Sequence, residues 1–558
     1  MGSLEPSEAR NAQSTPSVST GPSAATVTIQ TPIVTPTRRQ TLVIVGGTML
    51  ALSLGVMDAS IVGTAGPTII TDLGGLSLYA WVFSVYVLAQ TISMPLLGKL
   101  SDIYGRKRFF LVGLVVFIAG SMLSGASQNI LELIAFRTLQ GLGSGAFFTV
   151  GLAIVGASVR PEQRSRVLGI TGSVFGLGAI MGPTVGSYLV QSVGWRWIFY
   201  VNLPFGVLSL ILVAFAVKEI RSSHAGKKID WAGALALAGW VSMLLLGLLN
   251  GGTTYPWYSW QEVFFFSGFV ALLPVFLYVE SKAHDPIIPL SLFRIRSISS
   301  SFAIQFVRGA VLLGLVAFIS LFVQGALGGD IQDTRNVLYS FVVPFIIGSI
   351  AAGQLLTRLG YRAVAVVGVT LMAIGTGTFA FMGLNPSVVE LIARGPVTGL
   401  GMGIGLASVL SAFQNSVERR QIGVASSLGT FSLNLGGAIG VSLLGTVQLN
   451  SFSSRLDTIV QQAPPQARAQ LSQLFADPNQ VGQLLNSPVA FAQIIAAHPG
   501  LSVFVAPIRA ALAGSILDGF LVIFAMSVLA VVASLFMPAS LKKAKEEGPP
   551  APVAPVAA

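Results

Sequence analysis

The 558-residue sequence contains no cysteine and only three histidines, His224, His284 and His498, far apart in the chain. Without thiols there is no disulfide and no thiolate metal site, and three scattered imidazoles make no metal cluster; they are expected at the surface. Charge is scarce as well: 9% of residues are charged against 53% hydrophobic, and the mean hydropathy is +0.78. A soluble chain so short of charge would aggregate, so the solvent of this one is mostly lipid. Also missing are a GxxxxGK[ST] phosphate loop and any nucleophile paired with a base. ATP hydrolysis and enzyme chemistry are therefore not expected, nor is a cofactor. The formal charge of +11 does not point to nucleic acid, because Lys and Arg fall in short loops between apolar runs.

What is present is a succession of apolar runs about 20 residues long, the length a hydrocarbon core requires. They run from 41–65 to 513–537 and number about fourteen, which predicts an all-α membrane protein. Basic residues gather in alternate loops, among them Lys99, Arg106, Lys107, Arg108, Arg164, Arg166, Lys282, Arg358 and Arg362. The positive-inside rule makes that side cytoplasmic and puts both termini there, for a multi-pass protein of the plasma membrane. Residues 1–40 and 538–558 read as cytoplasmic tails, the first disordered, being rich in Ser, Thr and Pro.

An internal repeat organises the rest. LELIAFRTLQGLGSG (131–145) matches VELIARGPVTGLGMG (389–403) at constant offset, through Glu132/Glu390, Gly141/Gly399 and Gly143/Gly401. GKLSDIYGRKRFFLVG (98–113) echoes GQLLTRLGYRAVAVVG (353–368) at nearly the same offset. Two like halves in parallel order suit a rocking transporter with its substrate site between them. The expected plan is a six-helix bundle over 41–217, a linker with two extra helices over 218–298, and a second six-helix bundle over 299–537. Within the second bundle, residues 450–512 are too long for an ordinary helix connection. They are expected to form a hairpin or to extend the flanking helices on the outer side, where an envelope partner could attach.

Single residues then stand out against this background. Asp58 lies alone in TLVIVGGTMLALSLGVMDASIVGTAGPTII, and a carboxylate so costly to hold in lipid is a candidate proton or ion site. Counting along the helices puts Arg137 at a similar depth, about six residues from the outer end against about nine for Asp58. The pair could couple protons or could be a permanent structural salt bridge. In GKLSDIYGRKR, Gly98 and Gly105 allow a sharp turn, while Asp102 with Arg106 and Arg108 could form a charge cluster that breaks and reforms. GLGAIMGPTVGSYL carries Gly178, Gly182 and Gly186 on one face, with Pro183 to bend the rod. Trp195, Trp197 and Tyr200 in WRWIFYVNLPFG suit an interfacial belt. Arg308 has no evident local partner and is expected to line an aqueous cavity, with Asn434, Glu390 and Arg394 as further candidates. Glu390 and Arg394 are one turn apart and could instead satisfy each other. Asp518 is expected to be interfacial.

Taken together and in this order, the motifs resemble those of the major facilitator superfamily, and within it the fourteen-helix drug:proton antiporters. The resemblance covers nearly all of 41–537. It implies a secondary exporter of amphipathic or cationic small molecules, exchanged for protons by alternating access, of the multidrug-efflux kind that gives antibiotic resistance. Asp58 and Arg137 would serve proton coupling. Gly98, Asp102, Gly105, Arg106 and Arg108 would gate, Asp102 meeting a helix N-terminus in the other half. Gly178, Gly182, Pro183 and Gly186 would form the antiporter signature. Its partners would be a small-molecule substrate, protons and the lipid bilayer. The chain departs from the family pattern at Gly66, where leucine is common, at Asn434, where many relatives have arginine, and in the charged turn GGDIQDTRN (328–336). Other readings on the same fold are an exporter of lipids or endogenous metabolites, and a receptor or scaffold that does not transport.

Overall fold

In the computed structural model, residues 37–74, 78–159, 161–219, 230–251, 255–418, 421–474 and 499–538 are described. The tail readings for 1–36 and 539–558 lie outside them, as do His224, His498 and residues 475–498.

The first half comprises α1 (Arg38–Leu73), α2 (Tyr79–Tyr104), α3 (Arg106–Ala126), α4 (Ile130–Ala146), α5 (Leu152–Ser158), α6 (Pro161–Ser192), the single turn α7 (Trp197–Tyr200) and α8 (Asn202–Ala216). A π-helical turn, Phe147–Gly151, joins α4 to α5, so the two form one continuous rod. Next come α9 (Trp231–Asn250) and α10 (Trp260–Lys282). The second half holds α11 (Arg296–Leu321), α12 (Ile331–Ala380), α13 (Val388–Asn415), α14 (Ile422–Gln462), α15 (Pro465–Leu474) and α16 (Val505–Leu535). Among the described residues, thirteen helices are long and apolar enough to span a membrane. One of them, α12, is two helices joined at Gly360, whose φ of 77° lets the chain double back, so the described residues hold fourteen candidate crossings.

Gly360 has a counterpart 255 residues earlier: Gly105, φ 112°, turns the chain between α2 and α3. The repeat extends from turns to contacts. A Cβ on Gly143 would strike the α3 backbone at Gly113 and Phe117, and one on Gly401 would strike α12 at Gly368 and Met372, the repeat-related positions. Both crossings need bare backbone to let the rods touch. The acid preserved in the repeat has a local role. Asn129 caps α4 by accepting from Glu132 N at 2.9 Å, and Ser387 caps α13 by accepting from Glu390 N at 3.2 Å. Each glutamate therefore sits in a first turn, where the helix dipole favours negative charge.

Several helix ends differ from the sequence expectation. The helix near 421–449 continues to Gln462, and the one expected from 513 begins at Val505. Much of the long 450–512 segment is thus extension of flanking helices plus α15, whose Leu471 packs near Val460, Ala463 and Phe504. The charged turn 328–336 is a capping box: Asp330 accepts from Asp333 N at 2.7 Å, and Asp330 N donates to Asp333 Oδ2 at 3.2 Å. Asp518 pairs with Arg455 at 2.9 Å, fastening α14 to α16. Trp195 does not join an aromatic belt. It is 3% exposed, and its indole donates to Asp72 Oδ2 at 2.9 Å, whereas Trp197, half exposed, does fit a belt.

Candidate functional site

Asp58 is fully buried inside the first half. Four helices supply its surroundings. Arg137 on α4 donates from Nη1 to Asp58 Oδ2 at 2.6 Å and to Gln140 Oε1 at 2.8 Å. Gln140 returns a hydrogen bond from Nε2 to Asp58 Oδ1 at 2.8 Å, and Asn202 at the start of α8 donates to the same oxygen at 2.8 Å. Asn202 also donates to Ser121 on α3 at 3.0 Å, and Ser121 to the Phe199 carbonyl at 2.8 Å. The Arg137 guanidinium stacks 4.1 Å from the Tyr86 ring centroid on α2. A pair this deep is supported because both carboxylate oxygens accept hydrogen bonds, Oδ2 from Arg137 and Oδ1 from Gln140 and Asn202. The depth count therefore placed the pair correctly. It missed Gln140 and Asn202, whose signal is an amide inside an apolar span, one turn from Arg137 in the first case.

The glycine face of α6 packs beside this carboxylate. At Gly178 a side chain would meet Ser53 and Val56 of α1, and at Gly182 it would meet Met57 and Ser60, so α6 leans on the two turns that flank Asp58. Gly186 continues the face and is buried, and Pro183 lies inside the helix. A second small-residue face, unremarked in the sequence reading, looks the other way. Around Gly169 and Gly176 it meets Ser349, Gly353 and Ile346 of α12, and Ser349 Oγ donates to the Gly169 carbonyl at 2.7 Å. Helix α6 is thus the seam between halves as well as a wall of the carboxylate site.

The halves are fastened at the end that carries the basic loops. Asp102 accepts from Gly423 N at 3.2 Å and Val424 N at 3.0 Å, so it caps α14 across the interface while pairing with Arg106 at 2.7 Å. Gly98 lies against Gly423 and Ser427 in the same contact. Arg108 does not belong to this cluster. It is 63% exposed, and its backbone N–H and guanidinium face Glu219 instead, because its helix phase turns it away from Asp102. A second tie was not foreseen. Arg164 donates to Gly156 O at 2.8 Å in its own half and to Asn415 Oδ1 at 2.6 Å in the other, and Gln414 Nε2 donates to Leu152 O at 3.0 Å. Arg106 Nη1 reaches Ala153 O at 3.4 Å. Three carbonyls of α5 thereby receive three of the fastening side chains. At the opposite end, the exposed Thr184–Tyr339 contact of 3.1 Å joins the halves.

The remaining candidates separate. Asn434 lies at the interface of the halves, its amide 3.5 Å from Met94 Sδ of α2. Arg308 does not line an open cavity: it is 2% exposed and bonded to Gln305 Oε1 at 2.5 Å and Met402 O at 2.9 Å, since Gln305 lies one turn back on α11. Glu390 and Arg394 pair loosely at 3.6 Å at the start of α13, with Glu390 57% exposed, so they serve the helix end rather than a cavity. Groups of three or more His, Asp or Glu able to hold a metal are absent among the described residues.

With this geometry in place, comparison with known proteins gives the family. The Major Facilitator Superfamily pattern matches residues 48–245 and 227–441. This chain belongs to that superfamily. It is 35% identical over 440 residues to Multidrug resistance protein 3 of Bacillus subtilis (strain 168), covering 79% of this chain and 86% of the relative. It is 34% identical over 467 residues to Multidrug transporter protein MdtP of the same organism, covering 82% and 86%. Efflux pump FUS6 of Gibberella moniliformis is 31% identical over 412 residues, covering 72% and 73%. Among solved structures, the human organic anion transporter MFSD10 (TETRAN) superposes with a TM-score of 0.57 at 14% identity over 87% of this chain and 99% of that one. The proton:xylose symporter XylE gives 0.56 at 13% over 90% and 99%, and both likenesses speak to the fold alone. The chain is a multi-pass membrane transporter of this superfamily and not an enzyme.

Proposed function

We propose that the protein is a proton-driven exporter of amphipathic or cationic small molecules, working by alternating access in the plasma membrane with its basic end and both termini cytoplasmic. The relatives named as multidrug transporters and efflux pumps support the export reading. The observation that carries the coupling is mechanical. Asp58 is held by Arg137 and Gln140 on α4, and α4 continues through the π-turn into α5, which receives Gln414, Arg106 and Arg164 at the interface. A proton on Asp58 removes the charge that Arg137, Gln140 and Asn202 converge upon. Those donors then relax, and α4 shifts against α1 along the small-residue face of α6. The same rod transmits the shift to the fastening carbonyls and loosens the halves. Each proton moving down the membrane potential supplies about 2.3 kcal/mol per 100 mV, enough to drive accumulation against a gradient without ATP.

The test is dye efflux from proteoliposomes under an imposed pH gradient, with Asp58→Asn against the parent. Uphill efflux should disappear, while dye–dye counterflow, which needs no net proton movement, should persist. Uphill efflux by Asp58→Asn at the parental rate rules the carboxylate out as the proton carrier.

A further inference from the structure

The second half buries an arginine that has no acid to answer it. Arg308 spends two hydrogen bonds on neutral acceptors, Gln305 Oε1 and Met402 O, and its Nε has no partner. No carboxylate pairs with it among the described residues, in contrast to Arg137 and Asp58. A guanidinium does not shed its proton to escape such a site, and five N–H groups are available to it. A permanent cation at membrane depth without a counter-charge is expensive and typically marks a ligand path. The unpartnered Nε is turned toward Gly405 of α13, where an added Cβ would lie 3.3 Å from it. The next residue, Leu406, reaches across to Gly172 of α6, so the site borders the seam between the halves and is uncovered when that seam parts.

We propose that Arg308, at the bare backbone of Gly405, receives the carboxylate of an amphipathic substrate, so that anionic and zwitterionic amphiphiles are carried as well as cationic ones. This rests on the export reading above and adds a charge class to it. The planar fork of the guanidinium matches a carboxylate better than a spherical ion, and the carboxylate supplies the charge that the protein omits.

The experiment uses the full chain in phosphatidylcholine nanodiscs, with laurate and dodecyltrimethylammonium as probes of equal chain length and opposite charge. Binding is measured for the parent, Arg308→Gln, Arg308→Lys and Gly405→Val, the last filling the space beside Nε without touching the charge. Laurate should bind the parent and weaken at least tenfold in Arg308→Gln and Gly405→Val, and less in Arg308→Lys. Dodecyltrimethylammonium should stay within twofold throughout, which also reports that each variant is folded. Repeating the laurate titration at low and at high sodium chloride, with sucrose balancing the osmolarity, tests whether a free halide shares the site. Competition by chloride shows that a free halide shares the site, and its absence shows a site selective for carboxylate; both support an anion receptor. Laurate that fails to bind the parent, or binds Arg308→Gln equally well, overturns the proposal. Dye efflux by the parent is scored separately, so failure of the export reading is distinguishable from failure of this one.

Discussion

On α4, Gly143 rests on Gly113 and Phe117; on α13, Gly401 rests on Gly368 and Met372, each contact reproduced by the repeat. The side chains between these shared crossings have diverged. At the repeat-related positions, Arg137 faces Gly395, Gln140 faces Thr398, Tyr86 faces Phe341 and Asp102 faces Thr357. One half keeps a closed, charge-balanced carboxylate network, and the other keeps a deeply buried arginine on a different helix, Arg308 on α11. Duplicated backbone packing thus recurs in both bundles, while the first holds a buried acid–base pair and the second, among the described residues, a buried arginine with no acid beside it.

That contrast can be broken at several points. The largest effect is expected from Asp58→Asn, which strands a buried guanidinium. Loss of one partner of a buried pair costs about 3–5 kcal/mol, and thermal unfolding in detergent should register it. Adding Arg137→Gln should restore part of the loss, and a double variant no more stable than the single would mean that the two residues are not a unit. Next come Gly143→Val and Gly401→Val. If the crossings are equivalent, both should destabilise by a similar amount, about 1–3 kcal/mol from overpacking, and a large disparity would show that the repeat is one of sequence and not of packing.

A smaller effect is expected at the fastening between halves. Asp102→Asn weakens a cap on α14 worth about 0.3–1 kcal/mol, rising to about 2 kcal/mol in partly buried settings. Because the chain has no cysteine, Gly98→Cys with Ser427→Cys gives a clean cross-linking pair, and its yield should fall when Asp102→Asn is added. The smallest effect concerns Asp72, whose carboxyl is held below its ordinary value by the Trp195 indole and then by Arg196. A group with a depressed folded value stabilises above its unfolded value and loses that contribution as pH falls through the folded one. Unfolding midpoints of the parent and Asp72→Asn should therefore differ slightly at neutral pH and converge only in strong acid.

Much of this architecture was legible from the chain itself. Run lengths fix the crossings, the offset between matching glycines fixes the halves, and counting along α1 and α4 brings Asp58 to the level of Arg137. What escaped was whatever depends on rotation about a helix axis or on neutral groups. Hydropathy does not mark the amides of Gln140 and Asn202 as partners of a carboxylate. Arg108 and Arg106 look alike in sequence and point apart in space. Glu390 reads as a membrane charge until Ser387, three residues earlier, is recognised as the cap that opens its helix. Arg308 looks partnerless in sequence for a similar reason, because its local partner is a neutral amide, the glutamine one turn behind it.

Helix α14, Ile422–Gln462, spans 41 residues and so measures about 60 Å, twice the thickness of a hydrocarbon core. Its foot is the end capped by Asp102, and its tip carries α15 on the far surface. A straight rod of that length pivoting by about 10° at its foot swings its tip through about 10 Å. On the gating role proposed for Asp102, release of that one carboxylate at the foot would be amplified into a displacement at the tip wide enough to admit or expel a molecule.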